Sequence, residues 1–139
     1  MIRNTSIKHD ILKLVPKAKI YLRSNKDILF AYLFGSYAIN RVGPLSDVDI
    51  AVYLTKDDLS NKKMDILGDL IDIFKTDEID LVILNTAPLT LRMKILQNKY
   101  LLADNEPFVR HAYESATVRS YFDFYKFEKS ILERRFLNG

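Results

Sequence analysis

The chain has 139 residues, 48% of them hydrophobic and 28% charged, a globular balance that excludes a disordered polymer and suits one domain with a sizeable core. It has no cysteine, so disulfides and cysteine-ligated zinc are excluded, and its net charge of +3 is too mild to mark a dedicated nucleic-acid binder. The opening residues MIRNTSIKHD are polar and no 18-residue apolar run occurs, so a cytoplasmic protein without membrane contact is expected.

Residues 6–24 read as helical, with Ile7, Ile11, Leu14, Val15, Ala18 and Leu22 on one side. Pro16 makes this either two short helices or one kinked helix. The same region carries Arg3, Lys8, Lys13, Lys17, Lys19, Arg23 and Lys26 against Asp10 and Asp27. A solvated helix face accounts for this charge more simply than contact with nucleic acid or an acidic protein.

The run Ile28 to Phe34 reads as the first strand, closed by Gly35, which frees the backbone for a sharp turn. Ser36 stands where a helix would begin, and serine is a preferred N-cap. A helix start offers N–H groups and a favourable dipole to a phosphate. A short helix over 36–42 and a turn-rich loop, Val42-Gly43-Pro44-Leu45-Ser46, are expected to lead to a second strand at about 47–54.

That second strand is unusual. Val48, Ile50, Val52 and Leu54 form a core stripe, and Asp47 and Asp49 share the other face. On a strand, residues i and i+2 lie roughly 6.5–7 Å apart. Two such carboxylates can converge on ions about 3.5–4 Å apart, the spacing of two-metal phosphoryl-transfer sites.

Thr55-Lys56-Asp57-Asp58 matches a capping box, opening a helix to about Phe74. Leu59, Ile66, Leu67, Leu70, Ile71 and Phe74 form its apolar stripe, and Asp65, Asp69 and Asp72 a solvated face. The third strand is expected at 79–84, with Asp80 on the face opposite Ile79, Leu81 and Ile83. An acid within an apolar strand is costly unless paired or metal-bound; the plainer alternative is an edge acid facing water.

Pro88 suits the first turn of a helix to about Lys99, with Leu89, Leu91, Ile95 and Leu96 inward. Tyr100 to Ala103 reads as a short edge strand. From about Glu106 the chain is helical nearly to its end. This tail holds Phe108, Tyr113, Tyr121, Phe122, Phe124, Tyr125, Phe127 and Phe136, half of the chain's aromatics. They spread around the helix, so some are expected to remain exposed as a partner surface.

The spacing Gly35-Ser36-x10-Asp47-x-Asp49, followed by the strand carboxylate Asp80, resembles the signature of the DNA polymerase beta-like nucleotidyltransferase superfamily. The short length resembles its minimal nucleotidyltransferase (MNT) branch, the antitoxin half of HEPN/MNT toxin–antitoxin pairs. The likeness covers residues 28–84 well and the C-terminal third loosely.

It implies an α+β, polymerase beta-like palm fold: a small mixed sheet flanked by helices, with a core at about 28–103 and a C-terminal helical tail at about 106–137 of a single 1–139 domain. It implies Asp47, Asp49 and Asp80 as catalytic, Mg²⁺-binding carboxylates, and Gly35 and Ser36 as the seat of ATP phosphates. The expected reaction is transfer of AMP from ATP to a tyrosine hydroxyl of a HEPN RNase toxin, bound through the C-terminal helix. Ile39 departs from the pattern, since many relatives carry arginine there; Arg41 is the nearby basic candidate for phosphate binding. The alternatives are an antitoxin that neutralises its partner by masking alone, and an aminoglycoside-type nucleotidyltransferase, for which the chain offers little room for a substrate domain.

Overall fold

The computed structural model describes residues 5–39, 41–43 and 46–137, and among them the side chains of residues 11–135. The expected inward position of Ile7, the charges of Arg3 and Lys8, the Pro44–Leu45 part of the loop and the tail aromatic Phe136 lie outside these described residues and side chains. In chain order the elements are α1 (Thr5–Ser24), β1 (Ile28–Phe34), a 3₁₀ turn (Gly35–Tyr37), β2 (Val48–Leu54), α2 (Leu59–Phe74), β3 (Ile79–Ile83), α3 (Leu89–Gln97), β4 (Tyr100–Asp104) and α4 (Pro107–Leu137).

The strands form one mixed sheet in the order β3-β2-β1-β4. The β1–β2 and β1–β4 pairs are antiparallel, and β2–β3 is parallel. Period-2 alternation divides the side chains between two apolar layers. On one face Ile28, Ala31, Leu33, Val48, Ile50, Val52, Leu54, Leu81 and Ile83 pack with Ile11, Ala18 and Leu22 of α1 and Ile66, Leu70 and Phe74 of α2. On the other, Phe30, Tyr32, Phe34, Ala51 and Leu84 pack with Ile95 of α3 and with Val109 and Tyr113 of α4. A register irregularity between Ile28 and Phe30 lets β1 serve both layers without strict alternation.

Of the two alternatives at Pro16, a single helix holds it, on the exposed side. Several other local expectations are corrected. The helix expected over 36–42 is a three-residue 3₁₀ turn, because the Gly35 carbonyl accepts from Ala38 N–H at 3.1 Å and Ile39 N–H at 3.4 Å instead of starting a regular ladder. Ser36 is the second residue of that turn and not its N-cap, so the helix-dipole argument for a phosphate seat falls. The capping box is not formed: Asp58 precedes α2 in the left-handed region at φ 56° with no side-chain cap. Its carboxylate instead accepts from the Asn61 side chain at 3.0 Å, and Thr55 Oγ1 accepts from Lys62 Nζ at 2.6 Å.

The long α4 behaves as two halves. Tyr113 donates its hydroxyl to the Leu84 carbonyl at 3.0 Å, and Thr117 is fully buried. Arg110 pairs with Asp104 and Glu114, each at 2.8 Å, and Glu114 also accepts the buried Tyr32 hydroxyl at 2.8 Å. From Phe122 to Arg135 every side chain is exposed. Among the described residues no helix is long and apolar enough to cross a membrane.

Candidate functional site

The site begins where β1 ends. Phe34 is paired in register with Asp49 on β2, and Asp49 with Asp80 on β3, so one row across three strands ends in two facing carboxylates. Strand parity puts Asp49 with Ala51 and Asp80 with Val82 and Leu84, all on the α3–α4 face. Asp47 lies one residue before β2, exposed, so it approaches from the loop rather than from the strand as the sequence suggested. Gly43 and Ser46 fasten that loop reciprocally: Gly43 N–H donates to Ser46 Oγ at 2.8 Å, and Ser46 N–H to the Gly43 carbonyl at 3.2 Å.

Gly35 is held against this row. Its φ is +69°, a left-handed backbone that favours glycine, and a Cβ there would sit 3.0 Å from Asp49 Cγ and collide with the carboxylate itself. The Gly-Ser pair is therefore tied to the Asp-x-Asp pair by a backbone-to-carboxylate contact that only glycine permits. Ser36 follows at the rim, half-buried; Arg41 is exposed, and its N–H donates to the Ser36 carbonyl at 2.9 Å.

The electrostatics follow from this crowding. Burial first, then the charge of Asp80, then that of Asp47, push the Asp49 carboxyl up to about 6. The Lys94 ammonium, projecting from α3, pulls it the other way. Lys94 was not singled out from the sequence; on a helix of mixed pattern only the docking of α3 on this face identifies it. Asp80 is exposed on an edge strand, so the cost expected for an acid within an apolar strand does not arise.

The donor set fits a hard divalent cation by its chemistry: carboxylate oxygens, one of them partly desolvated and raised by its neighbours, are groups that a cation would relieve. Among the described residues no group of three acids already stands in metal-holding geometry. The carboxylates are near enough to repel and are not gathered on one point.

Similar architectures occur among solved structures. One is a toxin–antitoxin with AMP-PNP, 22% identical over 92% of this chain and 97% of the matched one, with a TM-score of 0.63. A second is a complex of a tri-AMPylated Shewanella oneidensis HEPN toxin with MNT antitoxin, 20% identical over 89% and 98%, TM-score 0.65. A third is the toxin–antitoxin MntA–HepT, 19% identical over 96% and 99%, TM-score 0.58. At these identities the likeness is one of fold. No curated protein matches the sequence significantly. A family model described as polymerase beta, nucleotidyltransferase, matches residues 16–107, which span β1 to β4 and every candidate site residue. The chain belongs to the polymerase beta nucleotidyltransferase family.

Proposed function

We infer that this chain is an MNT-type antitoxin that transfers AMP from ATP to a tyrosine hydroxyl of a HEPN toxin partner. The observation that carries the reading is the carboxylate row, Asp49 facing Asp80 with Asp47 beside them, set against the Gly35 turn. The toxin–antitoxin complexes of the same fold, one with AMP-PNP and one with an AMPylated toxin, support the partner and the nucleotide.

In the transfer, the acceptor oxygen attacks the α-phosphorus of ATP. One oxygen–phosphorus bond forms, the bond to the bridging oxygen breaks, and pyrophosphate leaves with that oxygen. Magnesium, held by Asp47 and Asp49 with Asp80 completing the site, would neutralise phosphoryl charge, which dominates catalysis of this reaction class. Asp80, exposed at the sheet edge, would take the acceptor's hydroxyl proton. Gly35 and Ser36 border the phosphates. Lys94, whose charge acts on Asp49, supplies the positive charge that Ile39 does not, with Arg41 as a second contributor.

The test is intact-mass spectrometry of the partner co-expressed with this chain. Whole AMP increments are expected, and none with Asp47→Asn, Asp49→Asn. A partner that is silenced but unmodified would leave an antitoxin acting by masking.

A further inference from the structure

β3 is an edge strand, and two hydrogen bonds show which of its backbone groups face outward. Val48 N–H donates to the Glu78 carbonyl at 3.0 Å, and Leu84 N–H to the Val52 carbonyl at 2.9 Å. Alternate residues of a parallel strand bond the same neighbour, so Glu78, Asp80, Val82 and Leu84 turn their backbones to β2, and Ile79, Leu81 and Ile83 turn theirs away. The Ile83 carbonyl is taken by Thr86 N–H at 3.3 Å. Among the described residues no backbone hydrogen bond meets the outward N–H and C=O of Leu81 or the N–H of Ile83.

A groove of about 520 Å³ runs along this edge. Leu59, Ser60 and Lys63 of α2 form one wall, and Thr86, Pro88 and Leu91 the other. β3 from Asp80 to Ile83 is its floor.

The geometry points to this groove as the seat of an extended polypeptide segment of the acceptor protein, added to the sheet beside β3. The inference rests on Asp80 being the acceptor-side carboxylate. Unpaired edge groups spaced as in a strand are met best by another extended backbone. Side chains of such a segment alternate between the walls. Those of one parity enter the α3 side, which is also the face of Asp80, and only they can present a hydroxyl to the site. Those of the other parity reach Lys63, which suits an acidic residue next to the acceptor.

The probe is a pool of decapeptides, each with a central tyrosine flanked on one side by glutamate, added to the full chain with magnesium and AMP-PNP. Hydrogen exchange at the Leu81 and Ile83 amides, read by NMR, is expected to slow at least tenfold. Thr86→Trp, which fills the groove from an exposed position, is expected to abolish the protection while leaving the nucleotide-dependent rise in melting temperature unchanged. No protection by any pool overturns the inference, as does transfer to a peptide or protein whose binding leaves these amides unprotected. Protection that grows with protein concentration without peptide would assign the edge to a second copy and overturn it too. Protection without any transfer from ATP would leave the groove standing and count against the enzymatic reading alone.

Discussion

Asp49 and Asp80 stand opposite each other on the parallel β2–β3 pair, with Asp49 partly buried and Asp80 open to solvent. Like charges facing across a sheet are destabilising, and this pair persists because the strands behind it are held by a fully buried stripe, Val48, Ile50 and Val52. The pair spends fold stability on a place where added positive charge is favoured.

Burial of Asp49 and, after it, that repulsion have a pH signature. The Asp49 carboxyl titrates near 6 in the folded chain against 3.8 for an ordinary aspartate, so between these values the folded state binds more protons than the unfolded one. Stability is therefore expected to fall as pH rises from about 4 to about 6. In chelator-treated protein Asp49→Asn should remove that decline, being the more stable form at pH 7.5 and equal to the parent below pH 4. Urea titrations across the range check it; a parent no less stable at pH 7.5 than the variant would refute the cost of holding this carboxylate charged.

Gly35→Ala should damage both fold and site. Forcing a residue with a Cβ into the left-handed region costs about 1–2 kcal/mol, and the new methyl meets the Asp49 carboxylate. A lower melting temperature is expected, together with loss of the further rise that ATP and magnesium give the parent. Gly43→Ala is the control, since among the described residues its Cβ would meet only Ser46 Oγ at 3.7 Å.

Lys94→Ala tests the proposal that this lysine supplies the positive charge that Ile39 does not. Removing it should weaken the nucleotide-dependent stabilisation and move the Asp49 transition upward, because a charge that lowers that carboxyl is lost. Arg41→Ala should have the smaller effect on both. Equal effects from the two would show that Lys94 has no special place at the phosphates.

The strands and the acids were legible in the sequence because both depend on a local rule. Alternation in Val48-Asp49-Ile50 and Ile79-Asp80-Leu81 assigns faces residue by residue, and the Gly-Ser turn followed by Asp-x-Asp is a short-range pattern. Three features depended on more than local order. Ser36 looked like a helix cap, but the Gly35 backbone turns too sharply for a helix to follow. Asp58 looked like part of a capping box, yet from its left-handed backbone the carboxylate meets the Asn61 side chain and caps no backbone N–H. Lys94 acquires its role only when α3 lies across the sheet, a packing event that no window of sequence encodes.

Glu114→Ala should be among the more damaging changes outside the site. It leaves the buried Tyr32 hydroxyl without its acceptor and deprives Arg110 of one of two carboxylates. An unsatisfied buried polar group costs about 1–3 kcal/mol. A loss in that range by chemical denaturation is expected, and Glu114→Gln, which keeps an acceptor oxygen, should recover part of it. A loss under about 0.5 kcal/mol, typical of surface substitutions, would mean that the network is incidental.

The distal half of α4 is where the partner should register. Phe122, Phe124, Tyr125 and Phe127 are all exposed, along with Ile131 and Leu132, on a segment whose described side chains are all exposed. Six large apolar side chains left in water among the charges of one helical segment are typical of a partner surface, and aromatic hot spots at interfaces contribute about 2 kcal/mol or more. Ending the chain after Tyr121 should leave the two cores intact, because the packed residues of α4 are Val109, Tyr113 and Thr117. The truncated protein should keep its melting temperature within a few degrees and its full response to ATP and magnesium. Its transfer of AMP to the partner should fall by at least roughly thirtyfold, the equivalent of one lost anchor. Substituting serine for Phe124 and Phe127 in the full chain should do the same without shortening it. Undiminished modification by both proteins would place partner recognition elsewhere, whereas loss of the nucleotide response in either would mean that distal α4 supports the site itself.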